Sequence, residues 1–173
     1  MMAAFAMAAV TANAQSWIGG NLGYSVTDQD HGTKTHYLSI SPEVGFNITD
    51  KWAFAVNLDY EMARAKQQNG LEWGTVHEIT VNPYARYTFA KSGIASFFVD
   101  GGIRVGAQKI KDVDDADAIY GFGFQPGVAL QISKKVCLVT KLGALGYRHS
   151  DDTDQFGFNV NNEAITFGAY YAF

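Results

Sequence analysis

The clearest pattern in the chain is a strict two-residue alternation of apolar and polar positions. In the last run, Ile165, Phe167, Ala169, Tyr171 and Phe173 share one face, and the residues between them share the other. Alternation of this kind indicates β-strands with one apolar face. The sequence predicts eight strands, namely this one and seven comparable runs at about 16–26, 36–48, 52–64, 76–89, 94–107, 119–132 and 136–148.

The seventh run has no single apolar phase. Leu138 and Leu142 favour one face, whereas Val139, Leu145 and Tyr147 favour the other. A one-residue change of phase moves every side chain of a strand to the opposite face. The sequence therefore leaves the orientation of this strand open.

The connections between the runs alternate in length. Three are short and polar, at 49–51, 90–93 and 133–135. Four are longer and rich in Asp, Asn, Gln, Gly and Lys, at 27–35, 65–75, 109–118 and 149–161. Short turns at one end and long loops at the other are typical of an up-and-down meander. We therefore predict an all-β fold, an eight-stranded antiparallel up-and-down barrel.

One strand–turn–strand hairpin recurs three times. Pro42, Pro83 and Pro126 each precede a short turn by seven residues, and they lie 41 and 43 residues apart. A proline cannot donate a hydrogen bond to the ladder of a paired strand. All three prolines fall on the apolar phase, so we expect a shared bulge or a widened ladder at their level.

The first residues are predicted to be a targeting segment. An apolar run, Met1–Val10, is followed by Ala12-Asn13-Ala14, which fits a small-x-small cleavage pattern. We interpret residues 1–14 as a secretory signal peptide cleaved before Gln15, with a short buried helix as the alternative. Residues 15–173 then form the barrel domain.

Composition narrows the class of protein. The formal net charge of −4 provides no basic surface for nucleic acid. The single Cys137 excludes a disulfide framework. Aromatic residues make up 14 %, with 18 glycines and only 3 prolines, which favours many strands over disorder. The chain is 47 % hydrophobic, yet its mean hydropathy is only −0.07, and no unbroken apolar stretch could form a spanning helix.

The polar phase decides which face lies inside the barrel. It carries many glycines and small residues with a few charges, whereas a water-facing sheet would carry many Lys and Glu. Small residues suit the narrow interior of an eight-stranded barrel. The apolar phase carries no charge between Trp52 and Met62, which is typical of a lipid-facing surface. A membrane barrel is therefore favoured over a soluble periplasmic ligand-carrying barrel.

The alternation, the repeated hairpin and the terminal pattern of Ile165, Tyr171 and Phe173 resemble the small OmpA/OmpX-type outer-membrane proteins, the outer membrane protein β-barrel domain family. The resemblance covers about 15–173. It implies an outer-membrane location in a Gram-negative bacterium, and it implies that Ile165, Tyr171 and Phe173 serve as an assembly signal. None of these motifs is catalytic.

The charges on the polar phase are the first candidate site. We expect a structural network of salt bridges and hydrogen bonds, because charges inside a closed barrel must be paired. Arg86 and Arg104 are expected at its centre, since each guanidinium can bridge two carboxylates. The predicted members are Glu43, Asp59, Glu61, Glu78, Arg86, Asp100 and Arg104, with Lys141 a further candidate.

The sequence gives less support to the other candidate sites, which would be a metal site or a hydrolase site. His31, His36, His77 and His149 lie beside long loops without a metal-ligand spacing, so solvated histidines are expected. His149-Ser150-Asp151-Asp152 offers the residue types of a hydrolase acting on lipid A. Adjacent loop residues rarely form a triad, and this enzyme remains the alternative. We predict no catalytic residue, no metal and no cofactor.

The predicted function is that of a non-catalytic outer-membrane barrel. Short turns are expected in the periplasm and four longer loops outside the cell. The barrel would support membrane integrity, surface interaction or adhesion. Expected partners are outer-membrane lipid and lipopolysaccharide, the barrel-assembly machinery and an unidentified surface ligand, with the protein a monomer.

Overall fold

A computed structural model describes residues 15–29, 33–65, 74–110, 116–150, 153–159 and 165–173. The predicted signal peptide, residues 1–14, lies outside the described residues. Among the described residues, no helix has the length and apolarity needed to cross a membrane. The strands are β1 (Ser16–Gln29), β2 (Thr33–Asn47), β3 (Trp52–Ala65), β4 (Gly74–Ser92), β5 (Ala95–Ile110), β6 (Ala116–Gln131), β7 (Val136–Leu142), β8 (Ala144–Ser150), β9 (Thr153–Asn159) and β10 (Ile165–Ala172).

The strands close into a barrel. From β1 to β6, each strand pairs antiparallel with the next. β6 pairs with both β7 and β8, β8 with β9, and β7 with β10. β10 pairs with β1, and the Phe173 amide donates to the Ser16 carbonyl at 3.0 Å. The ten strands therefore make eight barrel strands, the seventh consisting of β7 and β8 and the eighth of β9 and β10, which confirms the predicted fold.

The seventh barrel strand changes phase at Gly143. This glycine has φ of 63°, and the register against β6 shifts by one residue across it, from Gly127 opposite Lys141 to Phe124 opposite Leu145. One extra residue in one strand of a pair is a β-bulge. The bulge explains the ambiguous pattern of the sequence, because the outward positions are even-numbered before Gly143 and odd-numbered after it.

The fourth predicted loop, 149–161, is wrong in extent. Residues 153–159 of this range form β9, which pairs antiparallel with β8. Aromatic and aliphatic residues face each other across this hairpin, with Phe156 opposite Tyr147 and Phe158 opposite Leu145. Cross-strand pairs of this kind stabilise a strand that loop composition alone does not predict.

The apolar phase faces outward, as predicted. Large apolar side chains on every barrel strand are about half exposed, among them Ile18, Val44, Phe54, Val81, Ile103, Phe122, Leu138 and Phe167. The opposite phase is buried and largely polar. The barrel is therefore apolar outside and polar inside, the arrangement of strands that cross a bilayer.

The two ends of the barrel differ. At the short-turn end, the first and third turns have the same structure: the hydroxyls of Thr49 and Ser133 each accept two backbone N–H groups two and three residues later. The second turn contains Gly93 with φ of 57°. We name the opposite end, towards which the strands extend beyond the predicted runs, the long-loop end.

Each proline lies beside an interruption of one ladder. Pro42 pairs with Gly20 of β1, but the ladder from β2 to β3 lacks the pairs of Ser41 and Pro42. The ladder from β4 to β5 likewise lacks the pairs of Asn82 and Pro83, again without a register shift there. At Pro126 the gap lies against the Gly143 bulge. The ladder is thus interrupted at all three positions, and only at Pro126 does a bulge accompany the interruption.

Candidate functional site in the barrel interior

The interior charges nearer the short-turn end form a balanced cluster. Arg86 on β4 lies opposite Asp100 on β5 and donates to both carboxylate oxygens, at 2.7 and 2.8 Å. Lys141 lies 3.0 Å from Glu43 and 3.3 Å from Asp100. The Tyr84 hydroxyl donates to the remaining oxygen of Glu43. We call Glu43, Arg86, Asp100 and Lys141 the first ion layer; its two carboxylates are matched by two cations.

Aromatic rings complete the cross-section around the first ion layer. The Arg86 guanidinium carbon lies 3.9 Å from the centre of the Phe98 ring. Trp17 and Tyr170 stack on each other with ring centres 4.6 Å apart, and the guanidinium lies within 6 Å of both. Contact with a ring face compensates a buried guanidinium for part of its lost hydration. The layer is therefore a packed partition rather than an open ring of charges.

Each of these inward aromatic residues lies opposite a glycine on the neighbouring strand. A Cβ atom at any of the four glycines would collide with the facing side chain. Large rings thus fit into a narrow barrel because the opposed position carries no side chain. The four pairs are Trp17 with Gly45, Tyr84 with Gly102, Phe98 with Gly127 and Tyr170 with Gly19.

A second cluster of charges lies nearer the long-loop end. Arg104 lies 3.5 Å from Asp59, 3.6 Å from Glu61 and 3.4 Å from Glu78. Arg148 lies 2.6 Å from the other oxygen of Glu78. These five residues are the second ion layer. Its arginines are about one-third exposed, whereas Lys141 and Glu43 of the first ion layer are 5 % and 0 % exposed.

The seven residues nominated from the sequence lie within these two layers. Arg86 and Arg104, the two expected centres, each contact carboxylates, but in different layers rather than in one network. Lys141, only a further candidate, bridges Glu43 and Asp100. Arg148 was not predicted as an interior residue, because the bulge at Gly143 reverses the phase of the residues that follow it. A bulge placed between Leu142 and Leu145 in the sequence would have assigned Arg148 to the interior. Of the residues nominated as an assembly signal, Tyr171 and Phe173 are exposed on the outer face and Ile165 is half-buried.

Cavities lie on both sides of the first ion layer. One of about 420 Å³ opens at the short-turn end and reaches Arg86, Phe98 and the Trp17–Tyr170 stack. Another, of about 270 Å³, lies among the second ion layer and reaches Lys141. Lys141 and Arg86 belong to the same layer, so this layer separates the two spaces.

The candidate triad is not assembled by the described residues. His149 faces outward and contacts Asp154 at 2.7 Å, whereas Ser150 faces inward and donates to Gln108 at 3.4 Å. Asp151 and Asp152 lie outside the described residues. Neighbouring residues of a strand point to opposite faces, so His149 cannot activate Ser150 in this strand. Within the described part of the chain, no three His, Cys, Asp or Glu side chains converge as metal ligands.

The predicted solvated histidines are instead paired with tyrosines on the outer face. The Tyr24 hydroxyl lies 3.2 Å from Nδ1 of His36, and that of Tyr60 lies 2.8 Å from Nδ1 of His77. His149 stacks on Tyr120 with ring centres 4.5 Å apart. His31 lies outside the described residues.

Comparison with known proteins places the fold. The model of the outer membrane protein beta-barrel domain family matches residues 1–173. The crystal structure of Neisserial surface protein A (NspA) is similar over 92 % of this chain and 96 % of that one, with a TM-score of 0.54 and 16 % identity. The Yersinia pestis outer membrane protein Ail in a phospholipid bilayer nanodisc matches 92 % of this chain and 99 % of that one, with a TM-score of 0.45 and 15 % identity.

The similarity to NspA, at 16 % identity, shows the fold alone. Among curated proteins, none matches this chain in sequence. The family match over the whole length agrees with the closed barrel, its apolar outer face and its polar interior. The chain therefore belongs to the outer membrane protein β-barrel domain family and is a transmembrane barrel of the outer membrane.

Proposed function

We propose that this protein is a closed, non-catalytic barrel that supports the integrity of the outer membrane and interacts with other surfaces through its long-loop end. The observation that carries the proposal is the first ion layer with its aromatic rings. Arg86, Asp100, Lys141 and Glu43 are paired with one another, and Phe98 covers the guanidinium. A barrel filled in this way is a rigid support for surface loops.

The difference between the two ends supports a proposed orientation in the membrane. The three short turns would face the periplasm, and the longer connections would face outside, as the architecture of outer-membrane barrels favours. Outer-membrane lipid would surround the apolar face. Ile165, Tyr171 and Phe173 would form the signal read by the barrel-assembly machinery, and the protein would act as a monomer.

Conductance measurements in planar bilayers test the closed interior. The wild type should give no stable channel, because the first ion layer fills the cross-section. Combined substitution of Arg86→Ala and Phe98→Ala should open a path between the two cavities and produce conductance. Arg104→Ala is the matched control, since it removes a cation but leaves the first ion layer intact. Stable wild-type channels would contradict the proposal.

Complementation tests the two roles separately. A strain that lacks the protein should become more permeable to bulky antibiotics and should bind less to surfaces. A variant in which residues 66–73, between β3 and β4, are replaced by a short turn should restore the barrier but not the surface binding. Lipid A hydrolysis that His149→Ala abolishes would instead establish the enzymatic alternative.

A further inference from the structure

Four glycines lie side by side on the inner face of β5, β6, β8 and β9. Gly102 pairs with Gly123, Gly123 with Gly146, and Gly146 with Gly157. The inward phase carries no side chain along this row, so a strip of bare backbone crosses four strands. Because neighbouring strands lie about 4.8 Å apart, the strip is about 14 Å wide. We call these four residues the glycine row.

A third cavity, of about 520 Å³, lies against the glycine row. Towards the short-turn end it is bounded by Asp100 and Lys141 of the first ion layer, and towards the long-loop end by the arginines of the second. It also reaches Gln155 and Gly157 on β9, which are exposed. Its volume falls within the range of about 300–1,000 Å³ that is typical of ligand sites. Because the first ion layer closes its base, the cavity is a pocket and not part of a channel.

Polar side chains around this pocket have unused hydrogen-bonding groups. Gln125 precedes the glycine row on the inward phase of β6, and within the described residues its side chain has no partner. Asn82 donates to Oδ1 of Asn57 at 2.7 Å, which leaves Nδ2 of Asn57 without an acceptor in the described part of the chain. Among the same residues, no donor reaches Oδ1 of Asn82 or Oδ1 of Asp59, whose side chain is only 9 % exposed. A buried acceptor without a donor is unfavourable, so this wall lacks donors that the chain does not supply.

The charges around the pocket do not favour an anionic ligand. The first ion layer has two carboxylates and two cations, and the second has three carboxylates and two arginines. A phosphate or carboxylate group in the pocket would therefore meet no surplus of positive charge. The groups that lack partners are neutral amides and one carboxylate oxygen. They suit an uncharged ligand that both donates and accepts hydrogen bonds.

We propose that this pocket binds a neutral, hexose-sized sugar ring. Each sugar hydroxyl is both a donor and an acceptor, which matches the mixture of unpaired groups on Asn57, Asn82 and Gln125. The C–H face of the ring lies against the glycine row, where a side chain would take its place. The exposure of the pocket to the outside of the cell rests on the proposed orientation, but the binding itself does not.

NMR of the isotope-labelled barrel, titrated with glucose, galactose and mannose, tests the site. The detergent is dodecylphosphocholine, because a detergent with a sugar headgroup would compete for the pocket. The side-chain amide signals of Asn57 and Gln125 should shift with at least one of the three sugars. Glycerol at the same concentration should shift neither signal, since it has hydroxyls but no ring.

Three variants separate binding from stability. Gln125→Leu removes the amide at nearly constant size and should weaken binding about fivefold or more, the factor expected for one lost hydrogen bond. Gln131→Leu is the matched control, because it makes the same change on the inward phase of β6 beyond the first ion layer, and it should bind like the wild type. Gly157→Val should bind no sugar and keep the melting temperature of the wild type, because its Cβ atom enters open space.

The absence of sugar-dependent shifts would overturn the proposal and show a pocket filled by water alone. Equal shifts with glycerol, or equal weakening by Gln125→Leu and Gln131→Leu, would overturn it as well. A heat-dependent shift on electrophoresis verifies that each variant is folded. Orientation has no influence in detergent, so failure here is distinct from failure of the conductance and complementation tests.

Discussion

Arg86 and Asp100 face each other across β4 and β5, and two hydrogen bonds of 2.7 and 2.8 Å join guanidinium to carboxylate in parallel. This bidentate geometry, with the Phe98 ring over the guanidinium, fixes the orientation of both side chains. Removal of one partner leaves the other charge buried.

We expect Arg86→Leu to lower the free energy of unfolding by about 3–5 kcal/mol, because Asp100 and Glu43 would then share only Lys141. Urea titration in detergent, followed by tryptophan fluorescence, measures the loss. The double variant Arg86→Leu, Asp100→Leu should recover part of it. If the double variant lost the sum of the single effects, the two residues would not be coupled.

Arg104→Leu should be milder than Arg86→Leu. The Arg104 side chain is about one-third exposed, and its contacts with three carboxylates are 3.4 to 3.6 Å long. We expect a loss of about 1.5–3 kcal/mol and a lower melting temperature in detergent, with insertion into vesicles unchanged. A loss of insertion would indicate a role in assembly instead.

The glycines opposite inward rings should not tolerate side chains. Gly127→Val would place its methyl groups against the Phe98 ring, and overpacking costs about 1–3 kcal/mol or more. Gly157→Val is the matched control, since a Cβ atom there meets no other atom within 4 Å. Thermal melting of both variants should separate them; equal melting temperatures would contradict the packing argument.

Deletion of Gly143 should damage the barrel more than its substitution. Without the extra residue, Arg148 or Lys141 must turn towards lipid, and a lipid-facing Arg or Lys costs about 2–4 kcal/mol at the membrane midplane. Gly143→Ala keeps the phase and adds the strain of its φ of 63°, about 1–2 kcal/mol. The fraction folded on unheated gels compares the two. A deletion as well folded as the Ala variant would show that phase is not the function of the bulge.

The sequence predicted the barrel because its two faces meet different surroundings. Between Trp52 and Met62 the outward side chains must be apolar along the whole strand, and this period of two survives any local irregularity. The interior ion pairs followed from the same argument, since a charge on the inward phase has only other inward residues as partners.

Features that depend on register could not be predicted. Arg148 became an interior residue only through the bulge at Gly143, whose position the apolar pattern left ambiguous. The contact of Tyr60 with His77 requires the pairing of β3 with β4, and the two residues are 17 positions apart. β9 was missed because its polar composition matches a loop, although Phe156 and Phe158 continue the outward phase.

The interrupted ladders beside the prolines all lie within the short-turn hairpins, whereas the ladders from β1 to β2, β3 to β4 and β5 to β6 run unbroken. Each repeat thus contains its own irregularity and meets the preceding strand through a regular ladder. A duplicated hairpin would contain the same interruption of its internal ladder, and its outer strands would pair with their neighbours through the same regular ladders. Duplication of the gene segment for one hairpin would therefore add two strands to the sheet, and each new pair of strands would have a ladder of a kind already present.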